Sequence, residues 1–378
     1  MNKIFAVGRG QYENVGDIIL RRPLLDWVRP LGQLHVYVGH SPAGYDEGLG
    51  LAPDDVVYRS FTSWYRAAMA AAVAGEASYV FKPGEIQLTL IGMKEHVSML
   101  PLLATIRLRG GRAVRAGVGT RNYAPVPRAI MGPSIALSDL TLWRDVTTAA
   151  YMRRGEAMPD LAFGEGAPDD LLPGFAAGDG DRDVMVVSMR ADDAARPYPT
   201  TEWIEGVRGY AERHGLEIWA VTQVQVDNET SYRLARDLGG QVLAWDELSG
   251  HDVQEAKLRE LYRRTAIALS DRLHVIIAAF TEGAIPVGSL VDASDKIERH
   301  FATIGITDIT LATRDMSAEQ IVTALESIAA RREDMFERLG DARARLVERR
   351  MQVQETLRGA ASAGLPVDAA APTEMALP

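Results

Sequence analysis

Short apolar runs alternate with longer amphipathic stretches through the first half of the chain. The runs at 4–7, 34–38, 56–58, 79–81 and 113–118 have the length and the β-branched content of buried strands. Patterns of helical period lie between them at 18–28, 63–73 and 93–107, followed by a strand at 135–142 and a helix at 145–154. The rhythm restarts in the second half. Strands are predicted at 184–188, 217–222, 241–244, 266–270, 285–287 and 309–311, with helices at 201–214, 231–238, 253–264 and 273–280. Such alternation predicts βαβ units and mainly parallel sheets. Residues 164–182 are dense in Gly, Pro and Asp and follow neither period, so they read as a linker. The expected architecture is α/β, with two Rossmann-like domains facing a cleft: residues 1–165, a linker at 166–182, and residues 183–320.

From residue 321 the pattern becomes that of one long helix, 321–358. Ile321, Leu325, Ile328, Met335, Leu339, Ala342, Leu346, Val353 and Leu357 recur at spacings that form one face, interrupted by Arg332 and by Arg349 or Arg350. Such a stripe either packs on the protein's own domains or forms a coiled-coil contact that makes a homo-oligomer. Residues 359–378, rich in Ala and Pro, read as a disordered tail.

Composition narrows the chemistry. With 378 residues the chain is long enough for two cores, and it contains no cysteine. Disulfides, zinc–cysteine clusters, iron–sulfur centres and a thiol nucleophile are therefore excluded. The net charge of −10 argues against a general nucleic-acid binder, whose affinity comes from neutralised phosphates. The N-terminus lacks the pattern of an export signal, and the apolar windows fall short of the ~20 residues of a membrane span. The expected location is the cytoplasm. No His or acid cluster has metal-ligand spacing, so no metal is expected.

Three loops follow predicted strands, where ligands bind in open α/β sheets. In the first, Gly8 to Asp17, Asn14 and Asp17 either cap the next helix or meet a hydroxyl-bearing substrate, with Asp17 as general base. The glycines do not have GxGxxG spacing, so no dinucleotide fingerprint is present. In the second, Ser188-Met189-Arg190, the guanidinium either pairs with a nearby acid such as Asp192 or Asp193 or reaches into the cleft for a carboxylate or phosphate. In the third, Ser270-Asp271-Arg272-Leu273-His274, Ser270 or Asp271 is the natural N-cap. Two cationic-capable side chains then oppose the dipole of the helix they begin, a conflict that an anionic ligand resolves. The other six histidines, His35, His40, His96, His214, His251 and His300, have no partner at a recognisable spacing and read as surface or core. Trp64 with Tyr65, Trp143 and Trp245 read first as packing residues and second as platforms for a sugar. Arg107, Arg109, Arg112 and Arg115 read as solvated.

These loops carry a family resemblance. Ser270-Asp271-Arg272-Leu273-His274 is similar to the S-x-R-L-H segment of the polysaccharide pyruvyl transferase family. Asn14-Val15-Gly16-Asp17 resembles its N-x-G-D start, Arg144-Asp145 its R-D element, and Pro159-Asp160-Leu161-Ala162-Phe163 its P-D-x-A-F element. Gly283-Ala284-Ile285-Pro286-Val287, Asp295-Lys296-Ile297 and Ile304-Gly305-Ile306 resemble its G-x-P-V, D-x-K-[IV] and L-G-[IV] stretch. The matches run in order from about residue 4 to 310. Two departures concern the acceptor side: Lys82-Pro83-Gly84-Glu85 stands where the family has a Gly-rich turn, and Val291-Asp292-Ala293 replaces its usual aromatic.

The resemblance implies a GT-B-like pair of domains, with the acceptor on the N-terminal side and phosphoenolpyruvate on the C-terminal side. It implies transfer of pyruvate from phosphoenolpyruvate to two sugar hydroxyls as a cyclic ketal, in building a cell-surface polysaccharide or glycolipid. No cofactor is then needed beyond this co-substrate. Arg272, Arg190 and Lys296 are expected to bind its anionic groups, with Leu273 between the motif's two polar members and Asn14 at the substrate. His274 is expected to carry a proton, and Asp17 or Glu282 to take one from a hydroxyl. A lipid-linked saccharide acceptor would bring the protein to the inner face of the membrane. Two other readings remain: a GT-B nucleotide-sugar glycosyltransferase, which binds a nucleoside diphosphate instead, and a non-catalytic sugar-binding member of a polymer pathway.

Overall fold

A computed structural model describes residues 2–178, 180–191, 197–246, 248–290 and 294–362. The first half builds an eight-stranded sheet from β1 (Lys3–Val7), β2 (Gln33–Tyr37), β3 (Val56–Tyr58), β4 (Ala77–Phe81), β5 (Gly84–Ile86), β6 (Ala113–Thr120), β7 (Leu140–Trp143) and β8 (Glu156–Ala157). Its order is β3-β2-β1-β4-β6-β7-β8, with β5 also pairing β6, and every pairing is parallel. The second half forms a six-stranded parallel sheet from β9 (Val184–Ser188), β10 (Glu217–Val221), β11 (Gln241–Leu243), β12 (Thr265–Ser270), β13 (Ile285–Leu290) and β14 (Thr310–Ala312), in the order β11-β10-β9-β12-β13-β14. Helices cover both faces, so the central strands are buried on both sides and read as continuous apolar runs instead of alternating ones.

The predicted elements are largely present, and the differences have local causes. The stretch 93–107 is two helices, Met93–Ser98 and Leu100–Leu108, because Pro101 lies in the first turn of the second and favours a fresh start. The predicted strand at 135–142 is the end of a helix, Pro125–Ala136, plus β7; Pro127 and Pro133 hide that helix from its period. The linker is not featureless, since a helix at Leu172–Ala177 packs against the C-terminal helix. The Asp295-Lys296 motif opens a further helix, Lys296–Thr303.

The C-terminal helix is two helices, Ala318–Ala329 and Arg332–Ser362. Between them Arg331 donates to the Thr307 carbonyl at 2.6 Å, and Arg332 donates to the carbonyls of Phe175, Gly283 and Ala266. This break redirects the chain. Ala318–Ala329 packs on the Thr201–His214 helix of the second domain, and Arg332–Ser362 crosses to the Val15–Val28 helix of the first. All nine apolar stripe residues are buried in this packing, so the stripe is covered by the chain's own domains. The tail beyond 362 lies outside the described residues. Among those described, no helix is long and apolar enough to cross a membrane.

The domains are joined by more than the linker. Val15 N–H donates to the Gln223 carbonyl and Gln225 N–H to that of Glu13, so the loop after β1 pairs with a loop of the second domain. Behind this seam Arg22 of the first domain bridges Glu165 and Glu255, and Arg259 joins Glu255, Glu165 and Glu282.

Candidate active site

The carboxyl ends of both sheets open onto one cleft of about 890 Å³. Its first wall is the loop after β1. Asn14 caps the Val15–Val28 helix, accepting from Gly16 N–H at 2.9 Å. Gly16 lies flat against the second domain: a Cβ there would stand 3.0 Å from the His274 Cβ and Nδ1. Asp17 faces the cleft, accepts from Gln11 N–H at 2.6 Å and pairs with Arg21 at 3.1 Å. Burial alone would raise its carboxyl, but Arg21 and these hydrogen bonds hold it below its ordinary value. Asp17 is therefore an ionised acceptor of hydrogen bonds and a weak base.

The opposite wall comes from the second domain. The helix after β12 starts at Leu273, as predicted, but Arg272 stands at its N-cap in place of Ser270 or Asp271. Ser270 Oγ instead accepts from Arg272 N–H at 2.8 Å, and Asp271 accepts from Arg190 N–H at 2.9 Å. Burial pushes the Asp271 carboxyl up to about 6. Asp227, fully buried, holds Arg272 through two hydrogen bonds at 2.8 and 2.7 Å, the paired geometry that fixes a guanidinium plane. Arg190 donates to the Asp271 carbonyl at 2.9 Å. Its suggested partners Asp192 and Asp193 lie outside the described residues, as does the 291–293 departure. Lys296 pairs with Glu85 of the other domain at 3.0 Å. Burial, reinforced by the charges of Arg144 and Arg190, pushes its ammonium down to about 8.

Asn14, Asp17, Arg190, Arg272, His274 and Lys296 thus line one space, from loops up to about 280 residues apart in sequence. Two expected residues do not. Glu282 ends the Leu273–Thr281 helix away from the cleft, where Arg259 and Arg263 pair with it. Leu273 points into the core at 3% exposure. The cleft also recruits residues that the sequence reading left out of the site. Arg21, Arg121, Arg144 and Arg299 line it, together with Glu85 and Asp227. In all, seven Arg and Lys side chains face three carboxylates there, and no Phe, Tyr or Trp is among the described lining residues. Arg144, 1% exposed, has an Nε without a hydrogen-bond partner; Gly119 leaves it room, since a Cβ there would stand 2.8 Å from that nitrogen. Arg144 belongs to the R-D element, but no motif marks Arg21, Arg121 or Arg299; only the fold aims them inward.

A second basin of about 580 Å³ adjoins the first on the N-terminal domain, sharing Asp17, Arg21, Gly84 and Glu85. Tyr37, Phe61 and Tyr79 line it, with Phe61 41% exposed. The departing Lys82–Glu85 turn forms its edge: Gly84 has φ +124°, which favours glycine, and Lys82 pairs with Glu95 at 2.9 Å. The tryptophans are packing residues. Trp64, Trp143 and Trp245 are buried, each with its indole N–H on a carbonyl. Arg115, read as solvated, is fully buried over the Phe81 ring at 3.6 Å, and burial lowers its guanidinium to about 10.

The sequence matches no protein-family model and no curated protein. Among solved structures the chain is similar to UDP-GlcNAc 2-epimerase from Neisseria meningitidis bound to UDP-GlcNAc, with TM-score 0.57, 12% identity, and 94% of this chain and 99% of that one covered. Anabaena HepE in complex with UDP and glucose matches at TM-score 0.53, 12% identity and the same coverages. UDP-GlcNAc 2-epimerase from Methanocaldococcus jannaschii matches at TM-score 0.53 and 11% identity, over 86% of this chain and 92% of that one. Two parallel α/β domains across a cleft, with this likeness, are the GT-B fold.

Proposed function

We propose that this GT-B chain is a sugar-modifying enzyme, a pyruvyl transferase that moves pyruvate from phosphoenolpyruvate onto two hydroxyls of a saccharide. The observation that carries this reading is convergence. Asn14 and Asp17, Arg144, Arg272 and His274, and Lys296 belong to four separate motifs that resemble the pyruvyl transferase family, and they meet in one cleft. The cleft also suits the donor. Phosphoenolpyruvate carries a phosphate and a carboxylate on three carbons, and a compact space with a surplus of guanidinium groups suits such an anion.

In the proposed reaction C3 of the enol gains a proton, one sugar hydroxyl attacks C2, and the C2–O bond to phosphate breaks. The second hydroxyl then closes the ketal on C2. The two hydroxyls lose two protons; one ends on C3 and the other on hydrogen phosphate, so charge and atoms balance. His274 carries protons, Arg272, Arg190 and Lys296 hold the anionic groups, and Asp17 accepts hydrogen bonds from the acceptor hydroxyls. Fixed guanidinium groups stabilise charge developing on the leaving phosphate. The adjoining basin, with Tyr37 and Phe61, takes the acceptor sugar, and a lipid-linked acceptor would place the protein at a membrane face.

A nucleotide-sugar glycosyltransferase is the second reading, favoured by fold neighbours that hold UDP-GlcNAc or UDP. Against it, no Phe, Tyr or Trp among the described lining residues of the main cleft offers a platform for a base. Melting curves with phosphoenolpyruvate, UDP and GDP separate the two. Phosphoenolpyruvate is expected to raise the melting temperature, and with a panel of galactoside, glucoside, glucuronoside and N-acetylmannosamine acceptors to release phosphate with a mass gain on the sugar. Arg272→Ala and His274→Ala are each expected to lower turnover at least 100-fold, His274→Ala with near-normal melting and Arg272→Ala with a lower but still cooperative transition, because buried Asp227 loses its partner. A shift from UDP or GDP alone would transfer the assignment to the second reading.

A further inference from the structure

Asp160 belongs to the Pro159–Phe163 motif and is fully buried. Its Oδ1 accepts from Ala162 N–H at 3.0 Å, capping the short 3-10 helix Leu161–Gly164. Its Oδ2 faces three cationic-capable groups: Arg144 Nη1 at 3.4 Å, His274 Nε2 at 3.7 Å and His300 Nε2 at 3.8 Å. Both Nε2 atoms are buried and neither has a partner at hydrogen-bond distance, so Asp160 is the acceptor nearest to hand for each.

The two histidines differ in what they can offer. His300 Nδ1 stands 2.7 Å from the Lys296 carbonyl, which can only accept, so Nδ1 carries the hydrogen. Burial holds His300 well below its usual titration range, so it is neutral and its Nε2 is bare. A bare nitrogen cannot donate to Asp160. His274 is oriented the other way. Its Nδ1 lies against Gly16, on the side of Asp17, and its Nε2 is turned to Asp160. A buried carboxylate is costly without a donor, and burial would raise Asp160; interaction with His274 and with Arg144 holds it below its ordinary value instead.

We infer that Asp160 is a positioning residue that keeps the proton of neutral His274 on Nε2, leaving Nδ1 as the nitrogen that takes and gives a proton in the cleft. The role in turnover rests on the proposed reaction; the tautomer does not. A buried acid fixes a neighbouring imidazole in one tautomer and one ring orientation. The carboxylates near His274 are Asp160 and Asp17; Arg144 and His300 face the same Asp160 oxygen, and Arg272 is two residues away in sequence.

Nitrogen-15 NMR of the full chain tests this, with the His274 signals assigned by their loss in His274→Gln. The wild-type protein should show neutral His274 as the Nε2–H form. Asp160→Asn keeps an oxygen for Ala162 N–H and should weaken that preference, with a measurable Nδ1–H population. With phosphoenolpyruvate and acceptor, the same variant should lose 10–100-fold in kcat with KM changed less than threefold. An Nδ1–H tautomer in the wild type overturns the inference even if Asp160→Asn does not fold. So does an unchanged Nε2–H preference in a folded Asp160→Asn. Absence of turnover in the wild type would count against the proposed reaction and leave the NMR comparison standing.

Discussion

Lys296 pairs across the cleft with Glu85 at 3.0 Å, and burial moves its ammonium down to about 8. Two opposite pH trends follow. Between pH 8 and the ordinary lysine value of 10.5 the folded protein binds fewer protons than the unfolded chain, so this group's contribution to stability rises with pH. Affinity for an anion falls over the same window, because the cation is lost. Calorimetric titration with phosphoenolpyruvate should give a dissociation constant that weakens by up to about tenfold per pH unit above pH 8, and Lys296→Gln should flatten that limb. At this scale the sequence marks Arg190, Arg272, His274 and Lys296 through their motifs. It does not mark Arg21, Arg121 or Arg299, which enter the cleft from ordinary helix and loop positions. It also misassigns Glu282, which stands near the motif in sequence but ends a helix that carries it away from the cleft.

Among the elements, the Val15–Val28 helix is set by its first turn. Gly16 has no left-handed φ to maintain; its need is space, because a Cβ would stand 2.5 Å from Gln223 Nε2 and 3.0 Å from His274 Cβ. Gly16→Ala should therefore leave the melting temperature within a few degrees while lowering kcat/KM at least tenfold, by pushing His274 or the seam strand aside. The Arg332–Ser362 helix makes the opposite case, with stability at stake and no reacting group. Leu339 is fully buried in it, and Leu339→Ala should cost about 2–5 kcal/mol in denaturant unfolding, whereas exposed Arg338→Ala should cost under about 0.5 kcal/mol. The period of the stripe was legible from sequence. The break at residues 330–331 was not, because it is made by carbonyls of remote segments that Arg331 and Arg332 reach only after folding.

Across the whole molecule, the cleft depends on how the two sheets are held. The Glu13–Gln225 pairing and the Arg22, Glu165, Glu255, Arg259 and Glu282 network both tie the two domains together. Removing Arg22 leaves Glu165 and Glu255 to share Arg259 alone. Arg22→Ala should destabilise by about 2 kcal/mol, less than a buried charge left with no partner would cost. Small-angle scattering should also show a larger radius of gyration if the network holds the domains together; an unchanged radius with lowered stability would assign it to folding alone.

The alternation of strands and helices, the two-domain division, the apolar stripe and the motif cations are all carried by local sequence, because strand and helix periods and cap preferences act within a few residues. The net charge of −10 is also exact, yet it describes the whole chain and conceals a cleft where cations outnumber carboxylates. Which arginines face that cleft, which nitrogen of His274 meets Asp160, and which carboxylates are spent in the interdomain network were decided only by the tertiary structure. Those outcomes depend on distances between segments more than a hundred residues apart, and such distances exist only once both sheets have formed and docked.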